Sequence, residues 1–294
     1  MCAFSISVFA QDANVTAEQI ALLPYQNIFE DKIHSVSVER KRDALLELRN
    51  FRTAEASRLA VPALKDSAEI VRATAAFSVI YLPQDEAVQN LLPLLADKKP
   101  LVRRETAYAL GAVGDANAVD FLLQTIKKDK VPEVVNAAVV ALGQIGDVSA
   151  VAELTAILQK KPSKKDIFLR RSAARSVGQI AQIIQTGKVV VLTPETFASP
   201  KYPVIVTPKF LDFSERFKVF QPAVKSLMQI LQNPYEADDT KREAAFALGA
   251  VGDQSAKPIL QFNLDAEYYY LAEICRESLL KLQYLEKLSA PPPN

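Results

Sequence analysis

Val102 to Asp129 reads VRRETAYALGAVGDANAVDFLLQTIKKD, and close copies begin at Val134 (VVNAAVVALGQIGDVSAVAELTAILQKK) and Thr240 (TKREAAFALGAVGDQSAKPILQF). Within the first copy Val102, Ala107, Leu110 and Val113 recur near helical spacing. Val119, Leu122 and Ile126 do so again farther on, which predicts two amphipathic helices. Between them stands Gly114-Asp115, matched by Gly146-Asp147 and Gly252-Asp253. A glycine just past a helix takes the left-handed conformation without a Cβ penalty. An aspartate next to it can accept a backbone N–H and cap the following helix. Each copy therefore predicts helix A, a tight Gly-Asp turn and helix B. Pro100 and Pro132 fall near the starts of two A helices, where a missing N–H costs least. Ala107, Ala109 and Gly111 are small enough to let neighbouring helices approach closely.

Weaker copies begin at Arg40 (RKRDALLELRNF), Val71 (VRATAAFSVIYL), Leu169 (LRRSAARSVGQI) and Ile274 (ICRESLLKLQYL). Their spacing is about 31 to 35 residues, with one gap of about twice that before Thr240. The chain has 8 glycines, and all but Gly187 sit at repeat positions. A self-similar chain of this kind grows along one axis, so 294 residues need not divide into separate domains.

The pattern V-R-x-x-A-x-x-A-L-G-x-[IV]-G-D, followed by A-[VK]-x-x-L, resembles the short HEAT-like repeats first named from phycobilin lyases. The resemblance covers residues 38–286. It implies an all-α fold, a right-handed α-α superhelix of the HEAT/armadillo-like solenoid type. Residues 11–37 are then an N-terminal capping segment, and 287–294 a disordered tail ending in SAPPPN.

The fifth unit breaks the pattern. Gly178 is present, but Ala181 replaces the helix-ending glycine and Gln182 the cap, so helix A should run on toward Gly187. Two β-branched runs follow, KVVVLTP from Lys188 and YPVIVTP from Tyr202. They predict a two-stranded ribbon inserted within residues 186–214, after which helix B should resume near Ser214 and end near Gln232. Phe197, Tyr202, Phe210, Phe213, Phe217 and Phe220 concentrate here, out of 14 Phe and 9 Tyr in the chain. They either form an apolar contact site on an added element or fasten a ribbon that is barely stable alone. Phe197 and Tyr202, at the tip, are the candidate anchors.

A solenoid offers surfaces before it offers chemistry. Partner-facing candidates on B helices are Gln89, Asn117, Gln124, Glu153 and Lys225, polar and mixed, suiting a protein or peptide. Lys98, Lys99, Lys127, Lys128, Lys130, Lys160, Lys161, Lys164 and Lys165 cluster at the B-to-A connections and should line one edge. That edge either attracts an acidic partner or an anionic surface, or is a solvated series of helix C-termini. Arg72, Arg103, Arg104, Arg170 and Arg171 open A helices as ion-pair partners between repeats. Asp238 and Asp239 suit the positive end of a helix. Tyr268, Tyr269 and Tyr270 read as end-cap packing more than a ligand cage.

The residues argue against catalysis. His34 is the one imidazole and precedes the full repeats, so no Ser-His-Asp or Cys-His machinery assembles around it. Iron-binding hydroxylases built from HEAT-like repeats use His-Glu pairs, which this chain lacks. Cys2 and Cys275 give neither a disulfide framework nor metal-ligand spacing. A net charge of +1 argues against bulk nucleic-acid binding. The expectation is a monomeric, non-enzymatic, cofactor-free and metal-free scaffold for another protein. The alternatives are a chromophore chaperone resembling phycobilin lyases and an adaptor to an anionic membrane. Cys2 to Ala10 (CAFSISVFA) resembles the apolar part of a secretory signal, with Val8 and Ala10 placed for cleavage after Ala10. No Lys or Arg precedes it. Residues 1–10 are thus expected to be a signal remnant on a periplasmic or secreted bacterial protein; the alternative is an ordinary terminus and a cytoplasmic one.

Overall fold

The computed structural model describes residues 26–187, 209–210 and 213–289. They form two compact units, divided between Ala109 and Leu110. Among the described residues there is no strand. The ribbon expected over Lys188 to Pro208 is therefore not supported, and that segment lies outside the described residues, as do Phe197, Tyr202, the apolar N-terminal run and the residues after Ser289. No helix among the described residues is long and apolar enough to cross a membrane.

In the first unit α1 (Gln26–Ile33) packs on α2 (Val38–Phe51). Ser37 and Thr53 cap α2 and α3 (Ala54–Ala60) by accepting the amides of Arg40 and Ala56. The first repeat has no glycine in its turn, and Arg52 itself takes the left-handed conformation, φ 56°. α4 (Glu69–Ser78) packs on α2, and the Ser78 hydroxyl donates to the Leu45 carbonyl at 2.9 Å. α5 (Gln84–Leu91) follows, and α6 (Pro100–Val113) crosses the division between units. Leu45, Leu48, Val71 and Leu91 are buried at the centre.

The second unit continues with α7 (Val119–Lys128), α8 (Pro132–Ile145), α9 (Val151–Gln159), α10 (Ile167–Thr186), α11 (Phe213–Arg216), α12 (Phe220–Gln232), α13 (Asp238–Val251), α14 (Lys257–Phe262) and α15 (Tyr269–Ser289). Its A helices stack as α8, α10, α13, α15 and its B helices as α9, α12, α14. Gly146 and Gly252 end their helices at φ 80°, and Gly114 stands at φ 74°. Asp115, Asp147 and Asp253 each accept the amide two residues on, opening a short 3₁₀ turn before helix B. The Gly-Asp turn is therefore as the repeat predicts.

Close approach depends on the remaining glycines. A Cβ on Gly111 would stand 2.7 Å from the Ala141 Cα, and one on Gly178 2.8 Å from the Ala247 Cα. Where glycine faces serine, the hydroxyl crosses the seam: Ser176 donates to Val139 O and Ser278 to Ala245 O. Burying Val134, Leu142, Leu154, Leu227 and Leu248 along these seams contributes about 1.5–3 kcal/mol each.

Candidate interaction surfaces

The A helices are consumed by packing. α10 lies between α8 and α13, and α13 between α10 and α15. Their N-termini are tied down by the arginines that the repeat places there. Arg72 grips the Asp97 carboxylate at 2.8 and 2.9 Å and donates to Asp66 O and Ser67 O. Arg170 repeats the arrangement at a buried site. It pairs with Glu236 at 2.7 and 3.0 Å and donates to Ile157 O, Leu158 O and Lys160 O at the end of α9. One guanidinium thus closes the B helix before it and pairs with the acid of the connection after it. Arg171 reaches Asp239, as expected, whereas Arg104 pairs with Glu105 on its own helix. Arg103 donates to Asp97 O.

The acids at the B-to-A connections were missed by the sequence reading. Asp66, Asp97 and Asp129 accept the amides of Ala68, Lys99 and Val131 and so fold each connection locally. Their signal was an Asp five residues before the Val that opens each A-helix motif. Burial would raise the Asp66 and Asp97 pKa values. The Lys41 and Arg72 side chains and the two amides outweigh it and hold both carboxyls below the usual range.

At the C-terminal end Asp239 accepts from the Tyr268 hydroxyl at 3.0 Å and meets Arg171 and Arg242. Burial, then the bond to Asp239, pushes the Tyr268 pKa up. Tyr270 stacks edge-on against both Tyr268 and Tyr269, so the triplet packs the start of the last helix. The described aromatics between Phe210 and Phe220 are likewise structural: Phe213 and Phe220 are buried, Phe213 touches both Phe217 and Phe220, and Arg216 lies 4.3 Å over the Phe210 ring. Cys275 is buried, which pushes its thiol up to about 12.

The candidate partner-facing residues lie on B helices and connections, although Phe168 and Tyr269 are exposed on the A helices α10 and α15. Gln89, Gln124 and Lys225 are exposed on α5, α7 and α12. Asn117 is exposed too, but in the 3₁₀ turn before α7. Glu153 is half-buried and pairs with Lys127 at 3.2 Å. Phe121, beside Gln124 on α7, is 45% exposed and was not anticipated. The lysines at the connections are all exposed. Lys98 and Lys99 belong to the first unit, where Lys99 pairs with Glu69. The other seven belong to the second.

Helix pairs stacked A on A and B on B, closed by Gly-Asp turns and tied by arginines, define an α-solenoid. Residues 57–142 and 88–178 match the profile of HEAT repeats, and residues 240–266 that of the PBS lyase HEAT-like repeat. The chain carries HEAT repeats, of the phycobilin-lyase type in its sixth unit. An engineered protein of known structure shares the fold at a TM-score of 0.53 and 17% identity, over 90% of this chain and 70% of that one. The CpcE–CpcF complex of phycocyanin lyase from Nostoc aligns over 97% of this chain and 98% of that chain, at 18% identity and a TM-score of 0.48.

Among curated proteins, deoxyhypusine hydroxylase-B of Oryza sativa subsp. japonica is 34% identical over 88 residues. That stretch is 29% of this chain and 29% of the rice protein. It overturns the expectation of a chain outside the enzymes, because a relative at this identity carries an enzyme's name. The expectation rested on local catalytic motifs, and a repeat scaffold carries activity without displaying one in its consensus. His34 is exposed on a turn, and among the described residues no three His, Cys, Asp or Glu are placed to hold a metal.

Proposed function

We propose that the chain is a protein-recognition module, which binds a protein or peptide through the outward face of its B helices. The observation that supports this is the asymmetry of the second unit. The A helices α10 and α13 are enclosed on both sides, while Phe121, Gln124 and Lys225 remain exposed on B helices. A mixed polar face that also carries exposed aromatics, Phe121 on α7 and Phe262 on α14, suits a protein surface, since interfaces combine an aromatic anchor with a polar rim. The test compares capture of proteins from the source cell by the full chain and by a Phe121→Ser/Gln124→Glu/Lys225→Glu variant. The expected result is a specific protein enriched by the native chain and lost from the variant, with melting unchanged. Equal capture by both chains would reject the B-helix face.

A further inference from the structure

The strongest unexplained feature is the concentration of unpaired cations at two adjacent connections of the second unit. The α7–α8 connection carries Lys127, Lys128 and Lys130; the α9–α10 connection carries Lys160, Lys161, Lys164 and Lys165. α8 packs on both α7 and α10, and α10 on α9, so the two connections lie side by side on one edge. Lys127 pairs with Glu153, and Lys128 bonds Gln124. The other five form no ion pair among the described residues. Both connections are held from beneath. Asp129 accepts the Val131 amide in one, Ser163 accepts the Lys165 amide in the other, and Arg170 holds Lys160 O at 2.6 Å. The side chains are thus free while their backbone is fixed. Beside them Phe168 opens α10, 65% exposed, its ring 5.2 Å from the Arg171 guanidinium.

We propose that this edge docks an acidic segment of a partner protein, its carboxylates set among the five free lysines and one apolar side chain laid on Phe168. The inference rests on the protein-recognition reading and assigns it a second surface with a stated chemistry. Charge complementarity selects the occupant. Asp129, Glu133 and Asp166 are interleaved with the lysines, and farther along the connections Asp238, Asp239, Asp265 and Glu267 make the edge acidic. A nucleic acid, with one charge per ~1.7 Å of duplex, or a flat anionic membrane would meet those acids as well. A short peptide can occupy the basic stretch alone.

The test uses the full chain and a short fluorescein-labelled Glu-rich peptide containing one Leu. A Lys160→Glu/Lys161→Glu/Lys164→Glu/Lys165→Glu variant should bind it about tenfold or more weakly and with less salt dependence, since rim charges set both. Phe168→Ser should weaken the Leu-containing peptide but not its Leu→Gly form. The Phe121/Gln124/Lys225 variant should bind the peptide like the native chain, which keeps the two surfaces distinguishable. Absence of peptide binding to the native chain would overturn the proposal while leaving the B-helix face standing. So would undiminished binding to the four-lysine variant. Tighter lysine-dependent binding of single-stranded DNA or phosphatidylserine vesicles would overturn it too, in favour of a different class of partner.

Discussion

Repeats four and five stand side by side and end their A helices differently. α8 stops at Ile145 because Gly146 can turn left-handed at φ 80°. α10 has Ala181 at the corresponding place, continues to Thr186 and stops at the next glycine, Gly187, at φ 74°. One absent glycine thus adds more than a turn of helix. The added residues are used: Gln185, buried, donates to Ala250 O at 2.7 Å, one of the carbonyls a helix end leaves without an internal partner. Stacking is undisturbed, for α10 still packs on α8 and α13, and α12 on α9. A solenoid tolerates a long insertion where the seams on both sides stay intact, because each unit depends only on its neighbours.

The arginine clamp carries this tolerance, and its removal should be the largest effect. Arg72 and Asp97 are 25 residues apart, whereas Arg170 and Glu236 are 66 apart across the insertion. The second pair is the more buried, at 4% and 2% side-chain exposure against 9% and 13%. Arg170→Ala leaves Glu236 buried and unpaired and should cost about 3–5 kcal/mol, read by urea denaturation. Arg72→Ala should cost less. A Arg170→Met/Glu236→Leu double variant near native stability would show that the charge left behind, and not lost packing, sets the cost.

Gln185→Ala comes next. It strands the last-turn carbonyl of α13 and should cost about 1–3 kcal/mol, with amide exchange accelerated at the end of α13. A loss spread evenly over the second unit would mean the added turn acts through packing instead.

Acid should act on the Arg72 clamp. The Asp97 carboxyl is held below its usual range in the fold, so its contribution is full above the ordinary carboxylate pKa. It is lost as pH falls through the lower, folded-state value. Asp66 behaves alike through Lys41. The melting temperature should fall on that acid limb, and Asp97→Asn should flatten it. An unchanged limb in the variant would place the acid sensitivity elsewhere.

The turn chemistry was legible because a single residue decides it. Gly114, Gly146 and Gly252 with their aspartates set the repeat, and the absence of glycine at Ala181 signalled the run-on of α10 and its end at Gly187. The clamp was half legible. Arg72 and Arg170 stood out at A-helix starts, but Glu236 lies 66 residues from Arg170, beyond any local pattern. The interaction surface was least legible. Lysines at the connections read the same whether paired or free. Only the geometry shows Lys127 engaged by Glu153, and only burial shows that Phe168 and Phe121 face outward while Phe213 and Phe220 do not.

The smallest effect distinguishes the two helix endings most finely. Gly114 and Gly146 both have positive φ, yet a Cβ on Gly114 meets nothing within 4 Å, while one on Gly146 would stand 2.7 Å from the Ile183 side chain. Ile183 exists as a helical residue only because α10 runs on. α8, which stops at Gly146, leaves Gly114 uncovered. Gly114→Ala should therefore show the left-handed penalty alone, about 1–2 kcal/mol. Gly146→Ala should add to it a crowding cost of order 1 kcal/mol or more. Adding Ile183→Ala to Gly146→Ala should cost less than Ile183→Ala costs in the native chain, because the smaller side chain makes room for the new methyl. Thermal unfolding of the four chains closes this cycle. Strict additivity would mean that the run-on helix does not crowd the turn before it, and that the two glycines differ by position alone.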